Sequence, residues 1–243
     1  MMNSPAAPEL SVVLPSFEEA GNLSWLLPQL RSELRGLDIS FEILVVDAEI
    51  PRDETPEICR MNEVSYVPRL GGALYSHALK TGIARATGRW ILCMDSDGSH
   101  PPSFVKTMWS GRNQADLVIA SRYVKGGGTE NPAVLIFLSY LVNLTFRMVL
   151  GIRCKDLSNS FRLYRGDALR SLSLECRNFD ILEEILLKLS LRHAGFSILE
   201  IPFTFKKRKA GRTKRDLVAF MFSYLGTLRR LRGLRKSEMG KHS

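Results

Sequence analysis

The stretch Leu10-Ser11-Val12-Val13-Leu14 is a short apolar run that ends at Pro15. Between Asn22 and Arg35, leucines then recur at helical spacing, at positions 23, 26, 27, 30 and 34. A continuous apolar run of this length is typical of a strand that is buried on both faces. The leucine spacing is typical of a helix with one apolar side. These residues therefore predict a strand followed by a helix that packs against it.

The same alternation of strand and helix continues as far as residue 120. Apolar runs predict further strands at 41–46, 90–94 and 117–120, and Tyr66 and Val67 indicate one more. Helices are predicted between them at 54–63, 73–86 and about 102–113. Strands that alternate with helices are typical of a Rossmann-like α/β fold, with a mostly parallel central sheet and helices on both faces.

The second half of the chain has a different pattern. The triple glycine at 126–128 predicts a loop, and the apolar stretch at 132–150 predicts a helix. A helix at 180–195, a strand at 196–205 and a last helix at 217–231 are predicted to follow. Because polar residues interrupt the apolar stretch, we expect no membrane-spanning helix. Residues 1–9 lack the pattern of a signal peptide.

Composition places the chain among ordinary globular proteins. It has 243 residues, of which 45% are hydrophobic. The cysteines at 59, 93, 154 and 176 are far apart and form no Cys-x-x-Cys pair. We therefore expect neither a disulfide framework nor a zinc site, which suits a reducing cytoplasm.

The basic excess is confined to one segment near the C-terminus. The net charge is +9, and residues 206–236 contain twelve Lys or Arg residues and one acid, Asp216. Such a segment fits nucleic acid, anionic lipid or a phosphorylated substrate, or is a solvated tail. Nucleic acid is disfavoured, because Phe220, Phe222 and Tyr224 are bunched together rather than interleaved with the basic residues.

Acidic residues follow several of the predicted strands. Glu19 comes after the first strand, Asp47 ends the second, and Asp95 and Asp97 follow the strand at 90–94. In open α/β sheets ligands bind beyond the carboxyl ends of the strands. Carboxylates that converge there favour a divalent cation such as Mg²⁺ or Mn²⁺. Asp47 is predicted to bind a nucleotide base or ribose, with a turn or helix-cap role as the alternative.

Several motifs together resemble a known family. They are Val-Val-Leu-Pro-Ser-Phe-Glu-Glu at 12–19, Ile-Leu-Val-Val-Asp at 43–47, Met-Asp-Ser-Asp-Gly-Ser-His-Pro-Pro at 94–102, Ala-Ser-Arg-Tyr at 120–123 and Ser-Phe-Arg-Leu-Tyr-Arg at 160–165. In this order they resemble family 2 glycosyltransferases with the GT-A fold. More narrowly, they are similar to the polyprenyl-phosphate (dolichol-phosphate) mannosyltransferases, over residues 10–214.

The resemblance implies a role for each matching residue. Nucleotide-sugar binding is implied for Pro15, Phe17, Glu19, Val46, Asp47, Asp95, Ser96 and Lys214. Metal binding is implied for Asp95, Asp97 and Ser99, and acceptor binding for Arg122 and Ser139. The implied catalytic residues are Asp97, Arg122 and Arg208. Arg208 and Lys214 match a basic loop that closes over the phosphates, and His100 is expected to shape its own loop.

Three features depart from the family's pattern. Residues 48–52 replace an acidic, glycine-rich sequence, and Phe17 stands where tyrosine is usual. Neither Leu135 nor Tyr140 is basic, although the family carries acceptor arginines near these positions. The nucleotide base and the acceptor therefore stay open on the sequence alone.

The expected protein is a metal-dependent inverting hexosyltransferase. Residues 1–215 are expected to form its catalytic domain, with a nucleotide-sugar-binding half at 10–125 and an acceptor half at 126–215. Residues 216–243 are expected to be a basic amphipathic helix and tail. The expected donor is GDP-mannose in preference to a UDP-sugar, and the acceptor a polyprenyl phosphate.

The expected location is cytoplasmic, peripheral on the inner face of an anionic membrane, with no nucleic-acid partner. The alternatives are a soluble small-molecule or glycan acceptor, or a catalytically weak nucleotide-binding pseudo-enzyme.

Overall fold

The computed structural model describes residues 7–176, 180–192, 195–206 and 217–240, including the side chains of 226–237 in the last range. Its strands are β1 Leu10–Pro15, β2 Phe41–Asp47, β3 Ser65–Pro68, β4 Trp90–Cys93, β5 Leu117–Ser121, β6 Gly128–Thr129, β7 Arg162–Arg165, β8 Ile198–Pro202 and β9 Thr204–Phe205. Its helices are α1 Ala20–Arg35, α2 Thr55–Met61, α3 Tyr75–Arg85, α4 Val105–Ser110, α5 Ala133–Leu150, α6 Gly166–Arg170, α7 Ile181–Arg192 and α8 Leu217–Gly240.

The central sheet has seven strands in the order β3-β2-β1-β4-β7-β5-β8. All of its pairings are parallel except those of β7, which is antiparallel to both β4 and β5. This confirms the predicted α/β class. Since β1 pairs with β2 on one side and β4 on the other, the chain changes direction across the sheet between β1 and β4. A ligand site is expected at such a switch point.

Two apolar cores cover the two faces of the sheet. The core under α1 and α4 includes the five leucines of α1, which are all fully buried as their spacing predicts. The core on the opposite face includes side chains of α3, α5, α6, α7 and α8. The helices on both faces therefore hold the strand ends at fixed positions.

Strand β7 and the short helix α6 were not predicted from the sequence. An arginine at each end of β7 hides it from a search for apolar runs. Arg162 is nevertheless fully buried, because its guanidinium donates to the carbonyl groups of Asn159 at 2.7 Å and Leu182 at 3.1 Å. A buried arginine is tolerated when its donors are satisfied in this way.

Two predicted elements have different bounds in the structure. The single strand predicted at 196–205 is divided into β8 and β9, because β9 leaves the central sheet and pairs with β6. The last helix continues beyond the predicted end at Leu231 to Gly240. Leu231 is fully buried, and Arg235 donates to the carbonyl of Val149 at 2.9 Å, so this continuation packs on α5.

Helix α5 is strongly apolar, yet only three of its eighteen residues are buried. By length and composition alone it is able to cross a membrane, and 17% of it is buried in the protein. We expected that the polar residues in this stretch would exclude a membrane-spanning helix. By length and hydropathy they do not. Asn143, Phe146 and Leu150 form its buried side.

Polar contacts attach α8 to α7 and the loop before it. The Thr227 hydroxyl donates to Asp180, and Arg230 lies 3.7 Å from the carboxylate of Glu184. That carboxylate also pairs with Lys188 at 2.8 Å. Thus Arg230 and Arg235, two of the basic residues expected to face lipid, form contacts with the protein. Arg229, Arg232 and Lys236 are exposed.

Acidification is expected to weaken this attachment. Burial raises the pKa of Glu184, but the hydrogen bonds from Lys188 and from the amides of Glu175 and Cys176 outweigh this effect. Together they lower the pKa of Glu184 to about 2. A depressed carboxyl pKa stabilises the fold above the ordinary pKa, and this stability is lost as the pH falls toward the folded-state value. Urea unfolding at pH 7 should show Glu184→Gln destabilised by about 2–3 kcal/mol.

The difference between Glu184→Gln and the unmodified protein should shrink as the pH falls from about 4.5 toward 2. The exposed Glu54→Gln is the control and should behave like the unmodified protein at every pH. A gap for Glu184→Gln that is as wide at pH 3 as at pH 7 would show that the charge of Glu184 is unimportant.

Candidate functional site

A cleft of about 120 Å³ lies beyond the carboxyl ends of β1 and β4. It is lined by Pro15, Ser16, Phe17, Glu19, Arg69, Tyr75, Ala78, Asp95, Ser96 and Asp97. Six of these residues were predicted from the sequence as nucleotide-sugar or metal ligands: Pro15, Phe17, Glu19, Asp95, Ser96 and Asp97. The cleft forms here because the loops after two adjacent parallel strands leave the sheet in different directions.

The loop after β4 presents two carboxylates to the cleft. Asp97 Oδ1 accepts hydrogen bonds from the Ser99 amide at 3.0 Å and the Ser99 hydroxyl at 2.6 Å. Asp95 Oδ1 accepts from the Ser160 hydroxyl at 2.9 Å. Gly98 has φ +82°, a left-handed conformation that favours glycine. The carboxylates are thus held at fixed positions before any ligand binds.

His100 holds this loop from behind. It is fully buried, and its Nδ1 accepts the Asp95 amide at 2.9 Å. Its ring stacks on Phe161 with centroids 4.7 Å apart. Burial lowers the pKa of His100 and so favours the neutral ring, whereas Asp95 has the opposite, smaller effect. These contacts agree with the expected loop-shaping role.

The donor groups of the cleft fit a divalent cation that is shared with a ligand. Asp95, Asp97 and Glu19 line the same cleft and offer hard oxygen atoms. Within the described ranges, no three acidic, histidine or cysteine residues are grouped closely enough to hold a metal alone. Mg²⁺ is commonly held by one or two carboxylates together with substrate phosphates, so this donor set suits such a complex. Ser99 is fully buried and contacts Asp97.

One wall of the cleft is formed by an aromatic ring and an arginine, Phe17 and Arg69, and a second arginine, Arg52, lies next to the ring. The guanidinium groups of Arg52 and Arg69 lie 5.2 Å and 5.0 Å from the centre of the Phe17 ring. Arg69 also donates to the backbone carbonyl groups of Ser16 and Ala73, at 3.3 Å and 2.9 Å. Arg69 is buried yet lines the cleft, so it brings a fixed positive charge to it.

Val46 and Asp47 lie behind this wall rather than on it. The Val46 side chain belongs to the apolar core, and its carbonyl accepts the Ser16 amide at 2.9 Å. Asp47 is also buried, and its carboxylate lies 3.6 Å from Arg69. Burial raises the pKa of Asp47, and the Ala48 amide and, to a smaller extent, Arg69 oppose this rise. Asp47 therefore balances the charge of Arg69 in this conformation.

The predicted acceptor residue Arg122 is held by a buried ion pair. Its Nε and Nη2 donate to the two oxygens of Asp156 at 2.8 Å and 2.7 Å, and Nη2 also donates to Ser158 at 2.8 Å. Asp156 is fully buried. Burial raises the pKa of Asp156, but the charge and hydrogen bonds of Arg122 outweigh this effect and hold the pKa below its usual value. The pair is therefore ionised and rigid.

Helix α5 is tied to the same region. Asn143 Nδ2 donates to the Ser158 hydroxyl at 3.1 Å and to the Ser139 carbonyl at 2.7 Å. The rings of Tyr123 and Tyr140 are 6.0 Å apart. Through Asn143 and Ser158, the backbone of Ser139 is thus linked to Arg122. Arg208 and Lys214 lie outside the described residues.

Sequence reasoning missed Arg69 and Asp156. A basic residue directly after β3, at the same sheet edge as Asp47, was an available signal for Arg69. The motif containing Arg122 gave no hint of its partner, because Asp156 is 34 residues away in the chain.

Sheet topology and the acidic cleft together place the protein in the class of glycosyltransferases with the GT-A fold. Residues 11–173 match the family described as glycosyl transferase family 2, and the chain belongs to this family. This confirms the family that the motifs predicted.

Two curated relatives are polyprenyl-phosphate mannosyltransferases. The chain is 33% identical over 214 residues to dolichol-phosphate mannosyltransferase of Pyrococcus furiosus, covering 85% of this chain and 59% of the relative. It is 30% identical over 217 residues to undecaprenyl-phosphate mannosyltransferase of Micrococcus luteus, covering 83% of this chain and 85% of that one. The match thus spans about three fifths of the length of the Pyrococcus protein.

Solved structures share the fold at lower identity. Glucosyl-3-phosphoglycerate synthase from Mycobacterium tuberculosis, in complex with phosphoglyceric acid, has a TM-score of 0.71 at 18% identity, covering 94% of this chain and 81% of that one. The same enzyme with Mn²⁺, uridine diphosphate and glucosyl-3-phosphoglycerate has a TM-score of 0.68 at 19% identity, with the same coverage. These similarities show the GT-A fold.

Proposed function

We propose that this protein transfers a hexose, with mannose favoured, from a nucleotide diphosphate sugar to a polyprenyl phosphate at a membrane surface. The observation that carries the proposal is the cleft at the switch point, which Asp95, Asp97 and Glu19 line together with Arg69. The names of the two curated relatives support the acceptor class and the sugar. GDP-mannose is the proposed donor in preference to a UDP-sugar.

The donor half is residues 10–125. Asp95 and Asp97 would hold Mg²⁺ or Mn²⁺, which supplies positive charge to the diphosphate leaving group. Phe17 lines the cleft, so its ring is available for apolar contact with the nucleotide. Arg69 adds a charge that a phosphate group can use. Ser99 and His100 act indirectly, because they position the two carboxylates.

The acceptor half is residues 126–215 together with Arg122. A phosphate acceptor is already ionised near neutral pH, so the site needs charge compensation rather than a strong base. Arg122 is fixed by Asp156 and Ser158, which orients its guanidinium near Ser139 on α5. Attack in line with the leaving group inverts the anomeric carbon without a covalent enzyme intermediate. Arg208 and Lys214 are proposed to close over the phosphates.

Membrane attachment is proposed to involve α5 and α8. Val134, Phe137 and Met148 on α5 are 65–70% exposed, which is unusual for large apolar side chains at helical spacing. Arg229, Arg232 and Lys236 on α8 are exposed as well. An apolar helix face with basic residues nearby is typical of a protein bound to the cytoplasmic face of an anionic membrane.

A soluble acceptor is the second candidate. It is favoured by the absence of a basic residue at Leu135 and Tyr140. It is also favoured by the ion pair with Asp156, which offsets the charge that Arg122 can offer to a lipid phosphate.

A transfer assay with the purified chain separates these candidates. With labelled GDP-mannose and a short-chain polyprenyl phosphate in detergent, we expect a mannosyl lipid to form. A chelator should stop the reaction, and Mn²⁺ or Mg²⁺ should restore it. UDP-glucose and a panel of soluble acceptors are the comparison arms. Transfer to a soluble acceptor alone would refute the lipid proposal, and nucleotide binding without turnover of any donor would indicate a pseudo-enzyme.

A further inference from the structure

A second cavity lies at the C-terminal end of α5, away from the acidic cleft. Its volume is about 480 Å³, and none of its lining residues lines the cleft between β1 and β4. Three of the lining side chains are cations, Arg147, Arg153 and Lys155, and one is the carboxylate of Glu200. We call this the basic cavity.

Within the described parts of the chain, the three cations of the basic cavity form no ion pair with an acidic side chain. Among those residues, no acidic side chain lies within 4.0 Å of the charged groups of Arg147, Arg153 or Lys155. The Glu200 carboxylate is occupied otherwise: it accepts from the Ser121 hydroxyl at 2.7 Å and from the amides of Lys155 and Asp156 at 2.8 Å and 3.0 Å. The cavity therefore favours an anionic ligand.

An exposed apolar stripe leads into the basic cavity. Val134, Phe137, Leu141, Leu144 and Met148 recur every three or four residues along α5, so they share one side of the helix. Val134, Phe137 and Met148 are 70%, 65% and 67% exposed. Leu144 and Met148 also line the cavity. At 1.5 Å per residue, the stripe is about 20 Å long, which is about the length of a fatty-acyl chain.

We propose that the basic cavity binds the head group of an anionic glycerophospholipid, whose acyl chain lies along the apolar stripe of α5. A single ligand with one anionic end and a long apolar end matches the order of these features along the helix. This lipid is distinct from the acceptor, because Ser139, near Arg122, is about 12 Å from Arg147 along the helix axis. The bound lipid would fix the direction of α5 on the membrane.

Vesicle binding tests the head-group contact. Vesicles of phosphatidylcholine with and without 30% phosphatidylglycerol are used, with no nucleotide sugar or polyprenyl phosphate, so the result does not depend on transferase activity. Arg153→Glu/Lys155→Glu, at two exposed positions, should weaken binding to the anionic vesicles by at least about 30-fold. The matched control, Arg35→Glu/Lys106→Glu, changes the net charge equally at exposed positions on α1 and α4, and should bind at least ten times more tightly than the cavity variant. Equal binding by the two variants would overturn the proposal.

A second pair of variants tests the apolar stripe. Phe137→Gln/Met148→Gln should weaken binding to the same vesicles by at least about tenfold. Ile50→Gln/Met61→Gln is the control, because these side chains are 79% and 71% exposed but lie far from the cavity in the fold. If inorganic phosphate alone stabilises the protein against heat, and Arg153→Glu/Lys155→Glu abolishes that effect while vesicle binding is unchanged, the cavity binds a soluble anion and the lipid proposal fails.

Discussion

Asp97→Asn is expected to lower the rate of sugar transfer by about 100- to 1000-fold while the fold stays intact. Asparagine keeps an oxygen that can accept the Ser99 amide and hydroxyl, which now donate to Asp97 at 3.0 Å and 2.6 Å. The loop should therefore keep its shape, whereas the negative charge that would hold a cation next to the diphosphate is removed. The substitution should therefore lower the transfer rate without lowering the stability of the fold.

The measurement is the initial rate with saturating donor and acceptor, together with the thermal unfolding midpoint. Asp38→Asn is the matched control, because Asp38 is exposed and asparagine tolerates its positive φ of 52°. We expect the control to keep its full rate and both variants to unfold within a few degrees of the unmodified protein. A transfer rate for Asp97→Asn close to that of the control would rule out the proposed role of Asp97.

Asp156→Asn is expected to destabilise the protein by about 3–5 kcal/mol. Asp156 is fully buried, and its two oxygens accept the guanidinium of Arg122 at 2.8 Å and 2.7 Å. Removing one partner of a buried pair leaves the other charge without compensation in a medium that solvates it poorly. The amides of Arg122 and Asn159 still need an acceptor, which one asparagine oxygen can supply only in part.

Urea unfolding at neutral pH measures this loss. Asp116→Asn is the control, because its ion pair with Arg165 at 3.3 Å is on the surface and should be worth at most about 1 kcal/mol. Adding Arg122→Met to Asp156→Asn should recover part of the lost stability, since the unbalanced charge is then removed. If Asp156→Asn is no less stable than Asp116→Asn, the buried pair does not have the structural importance that its geometry indicates.

Much of the fold followed from local sequence. Apolar runs in the sequence were enough to predict β1, β2, β4 and β5, because strands covered on both faces need continuous apolar residues. The leucine spacing identified α1 in the same way. Strand β7 was not predicted, because it lies inside the sheet with a buried arginine, Arg162, whose donors are satisfied partly by the carbonyl of Leu182, 20 residues away.

Part of the cleft also followed from sequence, because a residue directly after a strand lies at the edge of the sheet. This reasoning placed Phe17, Glu19, Asp95 and Asp97 correctly on one cleft. It did not show that Asp47 would pair with Arg69 behind the cleft wall. For Asp47, the strand order and the path of the loop after β3 decided the partner.

The amino-acid sequence by itself determined the α/β class, the family and the acidic loop after β4, because each depends on residues that are close together in the chain. Only the tertiary structure decided the partners of Arg122 and Arg230, which are 34 and 46 residues from the groups they contact. It also decided that one side of α5 is exposed and ends at a basic cavity. Charge pairing and solvent exposure depend on distances in space, and these are fixed only when the helices pack on the sheet.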